Sequence, residues 1–223
     1  MNKLICVAIL YMNIIEAYIK FKGRLIIIIS GLDGSGKKKL ATELSLLLNI
    51  PVLSQKSFLK PLDEIGKIKL DNYEIYNYYT DTAYDWTSLI NAINKSKSTG
   101  VIVYGLSFPK QIITNYDFHV LIKITKQVCL QKRIEHFKKH SSIDPETIEK
   151  EEKLKVQRLI YPYYLKSQSN SNVTKLISGK QSFDDMYDEL WDYLKSAIEK
   201  FLYKIYPISL KEKTQGNNKI NYN

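Results

Sequence analysis

The sequence predicts an α/β domain with three layers, in which helices cover both faces of a five-stranded parallel sheet. Strand-like runs alternate with helical segments along the chain, an order typical of repeated βαβ units. The strand-like runs are apolar without a break, as expected of strands buried on both faces. The chain has 223 residues, of which 44% are hydrophobic, which suits one such domain better than two.

The first half of the chain contains two predicted strands and one predicted helix. Arg24–Ser30 is a β-branched run that ends in a glycine-rich turn, and it predicts the first strand. Lys37–Ile50 predicts a helix because its leucines recur on one helical face. Pro51–Ser54 predicts a short second strand, and the polar, tyrosine-rich residues up to about Asp81 are interpreted as a loop.

The second half continues the alternation. The predicted elements are a helix over 84–100 that Gly100 closes, strands at 101–107, 117–125 and 172–178, and helices at 126–140, 145–165 and 183–205. Thr125 is expected to cap the helix that follows it. Parallel sheets of this kind bind ligands at the carboxyl ends of their strands.

The two ends of the chain are interpreted separately from the domain at 23–205. The apolar stretch Leu4–Ile15 is too short to span a bilayer and precedes no small-residue cleavage site. Residues 1–22 are therefore interpreted as an N-terminal apolar extension, either packed beside the domain or preceding a later start at Met12. Residues 206–223 are polar and predict a disordered tail.

Composition limits the compartment and the partners. Two cysteines, Cys6 and Cys129, do not suggest a disulfide framework, so a reducing compartment and a cytoplasmic location are expected. The formal net charge of +10 favours anionic partners such as nucleotides. The basic residues are spread along the chain, which favours a solvated basic surface, so nucleic acid and membrane are not expected as partners.

The stretch Ser30–Leu40, "SGLDGSGKKKL", carries the strongest functional signal. Gly31, Gly36 and Lys37 match the phosphate-binding loop G-x-x-x-x-G-K, and they lie between a buried strand and an amphipathic helix, as that loop requires. A P-loop NTPase-type fold that binds ATP is therefore predicted; the alternative is a glycine-rich turn with a solvated lysine. The predicted nucleotide-binding residues are Gly31, Asp33, Gly34, Ser35, Gly36, Lys37 and Lys38.

The motif departs from the usual pattern at Lys38, where a serine or threonine normally coordinates Mg²⁺. An ammonium group cannot bind a metal ion. Its charge could partly replace the ion, or Ser35 or a water molecule could fill the coordination position. No His, Cys, Asp or Glu pattern in the sequence indicates a separate metal site.

Beyond the loop, the chain resembles the uridine kinase-like P-loop kinases over about residues 24–198. The segments that carry the resemblance are "SQKSFLK" (Ser54–Lys60), "YNYYTDTAYDWTSLI" (Tyr76–Ile90), "VIVYGLSF" (Val101–Phe108) and "CLQKRIEH" (Cys129–His136). The wording of the loop itself, "GLDGSGK", is closer to thymidylate kinases. The resemblance implies a phosphotransferase that moves the ATP γ-phosphate to a hydroxyl of a nucleoside or small metabolite, with a helical lid at about 132–165.

The resemblance also locates the chemistry that this chain has altered. In the family an aspartate after the second strand acts as base and helps to hold Mg²⁺, and a glutamate ends the third strand. Those positions are Lys56 and Tyr104 here. With Lys38, three positions for Mg²⁺ or proton transfer carry other residues, so Mg²⁺ is implied by the family but in doubt here.

The remaining candidates follow from the loop and the resemblance. The predicted catalytic residues are Lys37, Arg133 and Asp33, and the predicted substrate residues are Asp81, Asp85 and Tyr84. Four of these residues have an alternative role: a turn residue for Asp33, a solvated helix end for Arg133, a helix cap for Asp85 and packing for Tyr84. The alternative function is a catalytically degenerate nucleotide-binding protein with a regulatory or scaffolding role.

Overall fold

The central sheet has five strands, all parallel. They are β1 (Ile26–Gly31), β2 (Val52–Ser54), β5 (Val101–Gly105), β6 (Phe118–Lys123) and β7 (Lys175–Ser178). Their order across the sheet is β2–β5–β1–β6–β7, with β1 in the centre. The predicted five-stranded parallel sheet is therefore confirmed.

The computed structural model describes residues 14–205, and the predicted tail and residues 1–13 lie outside the described residues. Helices cover the sheet: α1 (14–22), α2 (Lys37–Leu48), α3 (Trp86–Ser96), α4 (Lys126–His140), α5 (Pro145–Lys155), α6 (Tyr161–Ser169) and α7 (Phe183–Ile205). None of the helices within 14–205 is both long enough and apolar enough to cross a bilayer.

The two faces of the sheet bury different helices because side chains alternate along each strand. On β1, Ile27 and Ile29 pack into the main core with α1, α2 and α7, whereas Ile26 and Ile28 pack against α3. Ile15 and Tyr18 of α1 are buried in the main core, so this part of the predicted extension packs on the domain.

A third core cluster joins the glycine-rich loop to the helices that follow β6. It places Leu32 of the loop against Cys129 of α4, Val156, Ile160 and Tyr164. A π-helical segment, Val156–Ile160, connects α5 to α6, so the helical run continues from Pro145 to Ser169. The predicted lid thus packs directly beside the glycine-rich loop.

The region interpreted as a loop, residues 55–81, contains regular structure. A 3₁₀ turn, Gln55–Phe58, follows β2, and an antiparallel hairpin pairs β3 (Lys67–Leu70) with β4 (Tyr73–Tyr76). Asp71 forms the hairpin turn with φ +50°, a conformation that Asp tolerates better than most residues. The loop interpretation was wrong here because each strand has only four residues and an outward polar face.

Candidate active site

The glycine-rich loop connects β1 to α2 at the carboxyl end of the central strand. Gly34 and Gly36 have φ values of +83° and +87°, which side-chain-bearing residues rarely adopt. Within residues 14–205, the backbone N–H groups of Asp33, Gly34 and Gly36 donate to no protein acceptor. Gly36 begins α2 without a side-chain cap. The loop therefore presents open donors at a helix N-terminus, an arrangement suited to an anion.

The first turn of α2 has a charge pattern that an anion would stabilise. Three consecutive lysines, Lys37, Lys38 and Lys39, occupy the first turn, and it contains no acidic residue. Positive side chains are unfavourable at the positive end of a helix dipole. An anion bound at the loop would offset this repulsion.

Lys37 is held inside the loop by two oxygen atoms. Its Nζ donates to the carbonyl oxygen of Leu32 at 3.1 Å and to Asp33 Oδ1 at 3.3 Å. The residue is only 8% exposed. Burial lowers the pKa of the Lys37 ammonium, and the charge of Asp33 opposes that effect.

Asp33 collects three cations on one carboxylate. Lys37 and Lys56 lie 3.3 and 3.6 Å from Oδ1, and Nη1 of Arg133 donates to Oδ2. Burial would raise the pKa of Asp33, but these cations outweigh it and hold the pKa well below its usual range. Asp33 is therefore a weak general base in this arrangement, and its contacts fit a group that positions cations.

Arg133 of α4 connects the glycine-rich loop to α5. Its Nε donates to Glu152 Oε2 at 2.6 Å, and Lys155 also contacts Glu152, at 3.2 Å. Burial would lower the pKa of Arg133, but the charges around it, including Asp33 and Glu152, raise it. Both side chains of the Arg133–Glu152 pair are nearly buried, at 9% and 2% exposed. The predicted catalytic arginine is thus fixed at the loop by α5.

Helix α4 also contacts the backbone of the glycine-rich loop. A β-carbon added to Gly34 would lie 2.5 Å from Cβ of Lys132, so only glycine fits beneath this turn of α4. Lys132 is solvent-exposed, and its ammonium pairs with Glu135 at 3.4 Å. The loop, α4 and α5 therefore surround the Asp33 cluster.

Lys56 and Tyr104, which stand where the resembled kinases have carboxylates, have different environments. Lys56 lies in the 3₁₀ turn after β2, its side chain 66% exposed, and reaches the Asp33 cluster. Tyr104 is half-buried and packs against the main core. Between them, Gln55 is fully buried and bonds the backbone of Leu106 and Ser107. This end of β5 is therefore built for packing and offers no carboxylate.

The residues present do not fit a protein-held Mg²⁺ ion, which prefers oxygen ligands. Lys38, Lys56 and Tyr104 supply no carboxylate, and both oxygens of Asp33 are engaged by cations. The buried hydroxyl of Ser35 has no hydrogen-bond partner within residues 14–205, but one hydroxyl does not supply the set of oxygen ligands that Mg²⁺ needs. Among residues 14–205 no group of three or more His, Cys, Asp or Glu side chains could hold a metal ion.

The three predicted substrate residues have different roles. Asp81 accepts a hydrogen bond from the Tyr163 hydroxyl of α6 at 2.8 Å, which links this segment to the lid. Asp85 caps α3, and its oxygens accept from the backbone N–H and the hydroxyl of Ser88 at 2.9 and 2.6 Å. Tyr84 is 5% exposed and packs beside Trp86. Asp81 alone remains available to a substrate, because Asp85 serves as a cap and Tyr84 as a packing residue.

A cavity of about 470 Å³ opens between the carboxyl ends of β6 and β7. Its lining includes Thr125, Lys126, Tyr161 and Leu176. Gly31 of β1 pairs with Ile122 of β6, and the lining of the cavity starts at Lys123, the next residue of β6. A planar group attached to a loop-bound phosphate would find an aromatic wall and aliphatic contacts here.

Three residues that build the site were not predicted. Glu152 holds Arg133, Tyr163 holds Asp81 and Gln55 fills the space beside Gly105. A β-carbon on Gly105 would lie 2.2 Å from Gln55 Oε1, and the Gln-Lys-Ser-Phe segment that carried the resemblance contains that residue. No local signal marks Glu152 or Tyr163.

No model of a known protein family matches the sequence, and no curated protein matches it significantly. Two solved kinase structures share its fold. A protein assigned as a fructose transport system kinase from Silicibacter sp. TM1040 is 11% identical, and the match covers 69% of this chain and 89% of that chain with a TM-score of 0.51. A gluconokinase from Sinorhizobium meliloti 1021 is 10% identical over 81% of this chain and 97% of that chain, with a TM-score of 0.52. The chain therefore shares with these two structures an α/β fold of the P-loop NTPase type.

Proposed function

We propose that this protein binds ATP at the glycine-rich loop and transfers its γ-phosphate to a hydroxyl group of a small metabolite. The observation that carries the proposal is the convergence of Lys37, Lys56 and Arg133 on one point beside open backbone donors. Three cations at a helix N-terminus suit the concentrated negative charge of a triphosphate. The cavity beside Tyr161 offers a place for the base.

The reaction requires charge neutralisation and a proton acceptor. The acceptor oxygen forms a bond to the γ-phosphorus, the bond from that phosphorus to the β,γ-bridging oxygen breaks, and ADP leaves with the electron pair. Lys37 and Arg133 would neutralise the charge on the transferred group. Asp81 would accept the hydroxyl proton and release it to solvent.

Asp81 is the best-placed carboxylate for that task. Burial raises the pKa of Tyr84, and the charges of Asp33 and Asp81 add to this effect, so both carboxylates lie in the surroundings of one tyrosine. One oxygen of Asp81 is engaged by Tyr163, which fixes the carboxylate and leaves the other oxygen. In contrast, the three cations on Asp33 hold its negative charge too strongly for a useful base.

The cation cluster would replace part of the charge neutralisation that Mg²⁺ supplies in related kinases. Lys38 and Lys56 bring positive charge to positions where the family holds the ion. Lysine neutralises charge without fixing the geometry of the phosphates, so we expect slow turnover. These substitutions also favour the second candidate function, a nucleotide-binding regulatory or scaffolding protein without catalysis.

A transfer assay separates the two candidates. We expect label from [γ-³²P]ATP to reach at least one acceptor in a panel of nucleosides, vitamin precursors, gluconate and fructose, and the Lys37→Ala variant to lose the activity. Lys150→Ala, which changes an exposed lysine on α5, is the matched control. ATP binding without transfer to any acceptor would overturn the kinase proposal and support the regulatory one.

A further inference from the structure

The segment around Asp81 and helix α6 enclose a groove beyond the cation cluster. It consists of two cavities, of about 260 and 280 Å³, that share the side chains of Asp81, Tyr163 and Lys166 as a common wall. Tyr79 lines the second cavity, and its pKa is raised by burial and by nearby charges that include Asp33. We call these two cavities the acceptor groove, because Tyr79 connects the second one to Arg133 and Asp33 of the proposed phosphate site.

Asp81 enters the groove with one oxygen already used. The Tyr163 hydroxyl donates to Oδ1, and burial together with this hydrogen bond raises the pKa of Tyr163, so the hydroxyl keeps its proton. The indole N–H of Trp86 donates to the backbone carbonyl oxygen of Asp81 at 2.7 Å. Within residues 14–205, Oδ2 of Asp81 accepts no hydrogen bond. A fixed carboxylate with one free oxygen is suited to a hydroxyl donor.

Lys166 is the matching cation of the groove. Arg158, which also lines the second cavity, contacts Asp71 at 2.7 Å. In the part of the chain that the structure describes, Lys166 has no carboxylate within 4.0 Å, although it shares both cavities with Asp81. An ammonium and a carboxylate that line one groove without pairing leave room for a ligand between them.

The amides of the groove strengthen this interpretation. Gln111 and Asn170 line the first cavity, and neither side chain makes a hydrogen bond within residues 14–205. Pro109 and Ile112 supply the apolar part of the same wall. The lining thus offers one carboxylate, one ammonium and two amides, which fits a small, strongly polar molecule.

We propose that the acceptor carries an anionic group, a carboxylate or a phosphate, in addition to the hydroxyl that receives the γ-phosphate. Asp81 Oδ2 accepts a hydrogen bond from the hydroxyl, and Lys166 binds the anionic group. This inference rests on the proposed function, since it specifies the acceptor of the same site. It excludes neutral nucleosides and neutral sugars as the preferred acceptors.

Binding of matched acceptor pairs tests the proposal without requiring transfer. The full chain, held with a non-hydrolysable ATP analogue, is titrated calorimetrically with glycerol and glycerate, ribose and ribose 5-phosphate, and uridine and uridine 5′-monophosphate. We expect at least one charged compound to bind about tenfold more tightly than its neutral partner, as a contact to a charged group typically gives. The comparison of glycerate with glycerol tests for recognition of a carboxylate, and the other two comparisons test for recognition of a phosphate.

Two substitutions assign that preference to the groove. Lys166→Met is expected to remove the roughly tenfold preference, whereas Lys153→Met, at an exposed lysine of α5, leaves it intact. Asp81→Asn is expected to weaken both members of a pair equally. The proposal is overturned if no charged compound binds more tightly than its neutral partner, or if the two lysine variants behave alike. Absence of transfer with the preference intact would overturn the kinase activity alone.

Discussion

The contacts of Asp33 predict that removing its charge strengthens nucleotide binding while weakening the unliganded fold. In the unliganded protein the carboxylate neutralises Lys37, Lys56 and Arg133, the cations proposed to bind phosphate. A nucleotide must compete with this internal anion. In Asp33→Asn that competition is gone, so we expect the Kd for ATP to fall by about tenfold, which corresponds to about 1.4 kcal/mol.

The cost to the unliganded protein follows from the same contacts. Removing one partner of a buried ion pair typically costs about 3–5 kcal/mol, because the other charge stays uncompensated. Arg133 keeps Glu152, Lys37 keeps the carbonyl of Leu32, and asparagine retains one acceptor oxygen, so we expect about 2 kcal/mol. For a chain of this size that lowers Tm by about 4–8 °C.

Thermal unfolding and calorimetry measure both effects. The pKa of Asp33 is lower in the folded protein than in the unfolded chain, where it is about 3.9. The contribution of Asp33 to stability is therefore fully present above pH 3.9 and is lost as the pH falls from there toward the folded pKa. The Tm difference from wild type should therefore be constant between pH 5 and 8. Asp63→Asn, at an exposed position, is the control and should change neither quantity. Weaker ATP binding in Asp33→Asn would show that Asp33 contacts the ligand and would refute the reasoning.

Three further predictions concern the surroundings of the loop. Burial lowers the pKa of His119 to about 4, so its contribution to the free energy of unfolding is present above pH 6.5 and is lost as the pH falls toward 4. Between pH 7.5 and 5.0, urea unfolding should show that wild type loses about 2 kcal/mol more of this free energy than His119→Gln does. Equal losses in the two proteins would contradict this. ATP should raise the Tm of wild type almost equally with Mg²⁺ and with EDTA, whereas Lys38→Ser should make the increase depend on Mg²⁺; a strict requirement in wild type would disprove the charge-replacement argument. Gly34→Ala should reduce the free energy of unfolding by about 1–3 kcal/mol through its φ value and contact with Lys132, while Gly66→Ala, which has open space, should have little effect.

The sheet and the loop could be predicted because their signals are local. The isoleucine run of β1 indicates a strand buried on both faces, and its junction with Gly31, Gly36 and Lys37 fixes the turn into α2. The predicted cap at Thr125 is also confirmed, because its hydroxyl accepts from the backbone N–H of Val128. Each of these features depends on residues that are close together in the sequence.

The partners that build the candidate site could not be predicted in the same way. Glu152 lies in the run "EKEEK", and nothing in that run distinguishes it from its neighbours. Only the packing of α5 against α4 makes it a buried partner of Arg133, 19 residues away. Tyr163 and Asp81 are 82 residues apart and meet because α6 returns over the segment before α3.

The continuous helical run over Pro145–Ser169 contacts both proposed binding sites. The run holds the arginine of the phosphate site through Glu152 and the carboxylate of the acceptor groove through Tyr163. The π-helical turn lies between Glu152 and Tyr163, and helices kink readily at such turns. A ligand that draws Arg133 away from Glu152 would therefore change the bend at this turn and shift Tyr163 together with Asp81. We expect a ligand at the phosphate site to change the affinity of the acceptor groove for its own ligand, and the reverse.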